Sequence, residues 1–145
     1  MANFKKLVFV VFAVLIFMAG ETGADDKDTE MQPEKTKIVV SYFYTTYRCP
    51  SCETIEKWSH EAITDSFSEA LKDGRLIWRA VNVDKPENKH FIKDYNLFTK
   101  SLIISELKGE KEMKWENMDK VWQLLRDQEK FFSYVTSGVK KYLEK

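Results

Sequence analysis

Cysteine is scarce in this chain. Its 145 residues hold two, Cys49 and Cys52, and both stand in one Cys-Pro-Ser-Cys stretch. A small disulfide scaffold needs at least two bridges, so that class is excluded. Glycine is scarce as well, with five residues. None of them forms a Gly-rich loop that would cradle a phosphate, and no other flavin signature is present. The formal net charge is zero. There is no basic patch for nucleic acid and no acidic tail. The one long apolar run, residues 7–18, is shorter than the ~20 residues that a membrane-spanning helix usually needs. Internal repeats and low-complexity tracts are also missing.

The chain begins with a short basic head, Lys5-Lys6, before that apolar run, and small, weakly polar residues follow from Ala19 to Ala24. This is the layout of a secretory signal peptide spanning 1–24, with Thr22-Gly23-Ala24 as the cleavage site. No cysteine follows the run, so there is no lipid attachment point. Without Lys5, Lys6 and Glu21 the remainder carries about one net negative charge. Export to the periplasm or the medium would place the cysteines where disulfides persist. Residues 25–37 are acidic and polar and read as a flexible leader. The expected domain, 38–145, is long enough to bury roughly two thirds of its unfolded surface. It can therefore hold a core without covalent staples, which makes a chemical role for the cysteines more plausible than a structural one.

Ile38 to Tyr44 is β-branched and aromatic and predicts a strand buried on both faces. Thr45 to Arg48 then forms a loop. From Cys52 onward Ile55, Trp58, Ala62, Ile63, Phe67, Ala70 and Leu71 recur at helical spacing. Thr64-Asp65 is expected to kink or divide this helix, and Asp73-Gly74 to end it. Arg75 to Asp84 reads as a second strand. A helix is expected from Pro86 to Tyr95, with Phe91, Ile92 and Tyr95 inward and Asn96 as its stop. Ser101 to Leu107 reads as a third strand, Lys108-Gly109 as a hairpin turn and Glu110 to Trp115 as the return strand. A short helical stripe follows at Met118, Val121, Trp122 and Leu125. Asp127 is expected to cap a last helix facing inward with Phe131, Phe132, Val135, Val139, Tyr142 and Leu143. Trp58, Trp78, Trp115 and Trp122 are assigned to the core, and Tyr47 to a docking surface for a partner protein.

A strand that delivers a Cys-x-x-Cys pair to the first turn of a helix has the geometry of thiol–disulfide exchange. Unpaired backbone N–H groups and the positive end of the helix dipole favour a thiolate at Cys49. A free thiol titrates near ~8.5, and such a setting lowers that to about 3.5–7.5. Cys49, nearest the strand tip, is expected to be exposed, and Cys52, one turn in, less so. Pro50 has no N–H to lose and a fixed φ that suits a first helical residue. Arg48 favours the thiolate; Glu53 and Glu56 oppose it. Two other readings stand beside exchange. An inert bridge would close a very small loop and stabilise little. A metal site wants four ligands and the pair supplies two, with His60 and His90 lacking ligand spacing.

The element order, with the pair at Cys49-Pro50-Ser51-Cys52, the strand ending Val81-Asn82-Val83-Asp84, the helix ending at Tyr95 and the hairpin at Lys108-Gly109, resembles the thioredoxin-like proteins. The resemblance spans nearly all of the chain after the leader. It implies an α/β three-layer sandwich, a central mixed sheet with helices on both faces. More narrowly, Arg48-Cys49-Pro50, Val81-Asn82-Val83 with Pro86-Glu87-Asn88-Lys89-His90-Phe91, and Trp115-Glu116-Asn117 resemble a group of small exported thioredoxin-like proteins named as a nitrophenyl-compound nitroreductase subunit. The family resemblance implies that Cys49 attacks a partner disulfide and that Cys52 resolves the mixed disulfide. Tyr47, Arg48, Pro50, Ser51, Glu53, Lys100 and Ser101 would shape the site.

The chain departs from the family twice. Thr99-Lys100-Ser101 stands where thioredoxins usually carry a proline facing the pair. The first strand has Tyr42 and Phe43 where many carry a buried acid, so proton transfer would fall to water, Glu53 or a tyrosine hydroxyl. The expected protein is thus an exported thiol–disulfide oxidoreductase. It would act on protein disulfides or dithiols, with a membrane-embedded electron donor if it works as a reductase. No cofactor, nucleic acid or membrane span after signal cleavage is expected. The alternative is a non-enzymatic accessory subunit that binds metal or carries electrons through the pair, for a flavoprotein if the nitroreductase resemblance holds.

Overall fold

The computed structural model describes residues 35–144, all inside the compact unit Gln32–Lys145. The expected signal segment, 1–24, and leader residues 25–34 lie outside the described residues.

The sheet is built around β1 (Thr36–Tyr44). Ile38 through Phe43 are all buried, as a continuous β-branched and aromatic run requires of a strand covered on both faces. Thr36 and Lys37 extend the expected strand, pairing with Lys108 and Leu107. β1 lies parallel to β2 (Leu76–Asn82) and antiparallel to β3 (Ser101–Lys108), which pairs antiparallel with β4 (Lys111–Asn117). The order is β2-β1-β3-β4. Gly109, at φ 62°, makes the β3–β4 turn where Lys108-Gly109 placed it.

α1 (Pro50–Ser66) crosses between the parallel strands. The helix is divided at Phe67, just beyond the expected Thr64-Asp65, and α2 (Ser68–Lys72) continues to Gly74, whose φ of 74° ends it. Thr64 does compete for backbone, donating its hydroxyl to the His60 and Glu61 carbonyls. α4 (Gln128–Leu143) lies against α1 on the same face of the sheet. Its cap is the expected one: the Asp127 carboxylate accepts from Lys130 N–H at 3.0 Å. Phe131, Val135 and Val139 are fully buried there with Ile55, Ala62 and Ile63. Each large apolar side chain buried in this way contributes about 1.5–3 kcal/mol.

The other face carries less. The single helix expected from Pro86 to Tyr95 is instead a 3-10 turn, Pro86–Asn88, followed by α3 (His90–Asp94). Phe91 and Tyr95, one turn apart, fill the inward side against Phe43, Val81, Val83 and Ile103. Ile92 lies about 100° round from Phe91 and faces out, 43% exposed, which corrects its inward assignment. Asn96 stops the helix at φ 50°.

The stripe Met118–Leu125 is a 3-10 turn, Asp119–Trp122, that buries Met118 and Val121. Trp58, Trp78 and Trp122 pack on the core. Trp115 does not: it stands on edge strand β4, 41% exposed, with its ring edge-on to Tyr95 at 5.3 Å. Among the described residues no helix is long and apolar enough to cross a membrane. With α1, α2 and α4 on one face and α3 on the other, the architecture is the thioredoxin-like α/β sandwich.

Candidate functional site

The carboxyl ends of the parallel strands β1 and β2 form one end of the sheet, and the loop 45–49 rises from it. That loop is pinned from below. Thr46 N–H donates to the Asp84 carboxylate at 2.7 Å, and Asn82 donates its amide to the Thr46 hydroxyl at 3.2 Å. Asn82 in turn accepts Asp84 N–H at 2.9 Å. The Val81-Asn82-Val83-Asp84 stretch thus holds the loop as well as ending β2. Thr46 carries no sequence signal for this part.

Cys49 is the N-cap of α1, in extended backbone geometry, and Pro50 opens the helix. The Cys49 sulfur accepts the N–H of Cys52 at 3.2 Å, and the Cys49 carbonyl accepts from Glu53 N–H at 3.1 Å. A side-chain acceptor at an N-cap satisfies one of the orphan N–H groups of the first turn. Here the acceptor is sulfur, and the same N–H would favour negative charge on it. Cys49 and Cys52 are joined as a disulfide with Cα atoms 5.1 Å apart. Cys49 is partly accessible, whereas Cys52 is 1% exposed. Pro50, Ser51 and Glu53 are exposed around them.

Tyr42 reaches the pair from beneath. Its hydroxyl is buried and donates to the Cys52 carbonyl at 2.8 Å. Burial pushes this phenol up to about 12, with the charge of Arg48 pulling weakly the other way. At neutral pH Tyr42 is therefore a fixed, neutral donor.

Arg48 was expected to act on the Cys49 thiolate, with Glu56 opposing it. The two form an ion pair: the Arg48 guanidinium pairs with the Glu56 carboxylate, each about a quarter exposed. The same guanidinium lies 4.4 Å over the Tyr44 ring. Tyr47, 80% exposed, stands free on the loop. Lys100 and Ser101 reach this end of the sheet by strand register, Ser101 pairing with Phe43, rather than by a bond to the cysteines. The Lys100 carbonyl accepts Trp122 Nε1–H at 3.0 Å, and Ser101 donates to the Thr99 carbonyl at 3.0 Å.

His60 stacks on Trp78, and His90 pairs through Nδ1 with Asp94 at 2.8 Å. Among the described residues no three His, Cys, Asp or Glu side chains converge as a metal cage. A cavity of about 200 Å³ is lined by Phe43, Tyr44, Thr45 and Val83 and by residues of α3 and the α3–β3 connection. Its lining includes Ile92 and Phe98, which the expected inward helix face did not anticipate.

No family model and no curated protein matches the chain. Solved structures similar to it include three thioredoxins. Thioredoxin O2 from Arabidopsis thaliana, in an oxidised state, is 16% identical, with TM-score 0.40, covering 66% of this chain and 76% of its own. The Fasciola hepatica thioredoxin is 16% identical, with TM-score 0.38 and coverage of 68% and 81%. The thioredoxin of Trypanosoma brucei brucei is 18% identical, with TM-score 0.39 and coverage of 72% and 81%.

Proposed function

We propose that this chain is an exported thiol–disulfide oxidoreductase that acts on protein disulfides or dithiols through Cys49 and Cys52. One observation carries the reading: an accessible sulfur at the N-cap of α1, receiving a backbone N–H, is bonded to a buried sulfur one turn in.

In the reducing direction the Cys49 thiolate attacks one sulfur of a partner disulfide. A mixed disulfide forms and the partner's other sulfur leaves as a thiolate, which takes a proton. The Cys52 thiol then gives up its proton and attacks the Cys49 sulfur, releasing the second partner sulfur. Two electrons and two protons pass to the partner, and the chain is left with the Cys49–Cys52 disulfide. Run backwards, the same steps oxidise a dithiol. Pro50 and Ser51 keep the sulfurs within one turn. Tyr47, Arg48 and Glu53 stand beside the pair in the chain, and Lys100 and Ser101 reach the same end of the sheet through the register of Ser101 with Phe43.

The basic head, apolar run and small-residue segment support export. Outside the cytoplasm a reductive cycle needs a membrane-embedded electron donor, because cytosolic reductants do not reach it. The finer resemblance, to nitrophenyl-compound nitroreductase subunits, would make the partner a flavoprotein and this chain its electron-carrying accessory. No feature of the site favours that partner over a protein disulfide.

The test is turnover of insulin disulfides by reduced protein, combined with trapping. Cys52→Ser is expected to accumulate mixed disulfides through Cys49, and Cys49→Ser to trap none. An inactive wild type, with no adducts in either variant, overturns the proposal.

A further inference from the structure

We infer that Asp84, braced by Asn82, is a positioning residue for Cys49: through Thr46 it holds the active loop so that the Cys49 sulfur stays on the N–H of Cys52. This rests on the exchange reading above and adds to it two residues from the end of β2, far from the pair in the chain.

Residues 45–48 belong to no helix or strand. Among the described residues, no backbone–backbone bond uses their N–H or C=O groups. The last such bond before them is Val83 N–H to the Tyr44 carbonyl at 2.8 Å, and the next is Glu53 N–H to the Cys49 carbonyl at 3.1 Å. A stretch without a ladder depends on side chains to satisfy and shape its backbone. The Thr45 hydroxyl bonds inside the loop, to the Tyr47 carbonyl. Arg48 reaches outward, but through a long flexible side chain. The bond from Thr46 N–H to the Asp84 carboxylate, at 2.7 Å, is the one that ties the loop backbone to the sheet. It joins residues 38 apart in the chain.

The tie is braced. Asn82 donates its amide to the Thr46 hydroxyl at 3.2 Å, so Thr46 is held at two points. The Asn82 side chain accepts Asp84 N–H at 2.9 Å, and its backbone carbonyl accepts the Asn88 amide at 2.9 Å. A carboxylate that accepts a backbone N–H makes a charge-assisted bond, roughly twice as strong as a neutral one. These bonds are exposed at the loop, so modest effects are expected from breaking them.

Three residues on from Thr46, Cys49 caps α1 in extended geometry, at φ −111° and ψ 157°, with its sulfur 3.2 Å from the Cys52 nitrogen. A released loop lets Cys49 leave that geometry, and its sulfur then spends less time on the N–H. A hydrogen bond to the charged form is what favours a thiolate. Charge alone gives the opposite sign, because a carboxylate disfavours a thiolate and its removal favours one. Position and charge thus oppose each other in the same side chain.

The experiment follows thiolate absorbance against pH in the reduced protein, together with the rate at which it reduces a small aromatic disulfide. Asp84→Ala removes both the clamp and the charge. Its titration midpoint is expected to rise by about half to one unit, and its rate below the midpoint to fall roughly three- to tenfold. Asp84→Asn keeps an acceptor for Thr46 N–H and discards the charge, so its midpoint is expected at or below that of the wild type. Asn82→Ala keeps the charge and loosens the brace. Its midpoint should rise, and it carries the test if Asp84→Ala does not fold. Arg48, Glu53 and Glu56 are the same in all four proteins. A residue that only supports the fold would move stability and leave the midpoints alone. Asp84→Asn matching Asp84→Ala in either direction, or no rise in Asn82→Ala, overturns the positioning role and leaves exchange intact. A reduced wild type that does not react with the aromatic disulfide overturns the exchange reading, and the positioning role with it.

Discussion

The Tyr42 hydroxyl and the Cys52 carbonyl are joined by a buried hydrogen bond of 2.8 Å. Ten residues separate them in the chain, and the bond ties β1, a central strand of the sheet, to the first turn of α1. It stands in the region where a thioredoxin often carries an acid. A phenol held neutral there positions the Cys52 backbone.

Tyr42→Phe removes one buried donor. A net loss of about 0.5–1.5 kcal/mol is expected. For a domain of this size each kcal/mol lowers Tm by roughly 4–8 °C, which calorimetry reads directly. If the phenol only positions Cys52, the pH dependence of exchange should be unchanged in this variant. A shifted profile would show Tyr42 taking part in proton transfer.

Alkali should destabilise the fold through its buried phenols, Tyr42 and Tyr95 foremost. Burial raises both Tyr42 and Tyr95 to about 12, and the Glu112 carboxylate beside Tyr95 adds to its rise. In the unfolded chain tyrosine titrates near ~10. Between these values the folded state holds more protons than the unfolded one, so stability falls as pH climbs from about 10 towards 12. Below the unfolded value the contribution is fully present. Burial also raises Tyr134 and Tyr142, so ultraviolet titration should show a group of late phenols whose ionisation tracks unfolding, one fewer in Tyr42→Phe.

The Arg48–Glu56 ion pair brackets the cysteines in the chain, Arg48 one residue before Cys49 and Glu56 one helical turn beyond Cys52. Glu56→Gln releases the guanidinium from its partner, and the Cys49 thiol is expected to titrate lower, by up to about one unit. Arg48→Ala should move it the other way. Thiolate absorbance against pH in the reduced protein measures both. Stability should change by no more than about 1 kcal/mol, since each partner is partly exposed. Equal thiol pKa values in all three proteins would mean that this pair does not reach Cys49.

Gly138 on α4 leaves no room for a side chain. A Cβ there would come within 2.5 Å of Met118 Cε, 3.0 Å of its Sδ and 3.2 Å of Ile104 Cδ1. The methionine end is flexible, so Gly138→Ala sets a modest repacking cost against a gain of about 1 kcal/mol in helix propensity. Gly138→Val, bulkier and β-branched, is expected to destabilise by about 1–3 kcal/mol in denaturant unfolding. An unchanged midpoint for the valine variant would contradict the packing described.

Much of this was legible in the chain. Ile38–Phe43 declares a strand covered on both faces because no polar alternation interrupts it, Ser41 apart. The stripe Ile55, Ala62, Ile63 and the Asp127 cap carry their own helical periodicity. Gly74, Asn96 and Gly109 mark positive φ where elements end. What escaped depends on which neighbour arrives. Ile92 and Trp115 fit inward patterns, yet one sits on a five-residue helix with a single inner side and the other on an edge strand. The Arg48–Glu56 and Tyr42–Cys52 partnerships cross the turn from strand to helix, where no periodicity links the residues. The contact that confines Gly138 comes from Met118, in a separate element. At the site, the sulfurs and their unequal exposure followed from spacing alone, while the place of Ile92 and Phe98 in a cavity wall did not.

The central claim is that the Cys49–Cys52 bridge is a working redox couple and not a clip. Its reduction potential, from equilibration of the wild-type protein in graded glutathione or dithiothreitol buffers with the thiols counted by mass, tests this most directly. Structural disulfides of exported proteins lie below about −300 mV, and catalytic ones above it. A reversible two-electron transition above about −300 mV is the expected result. A bridge that stays oxidised well below that potential would contradict the account.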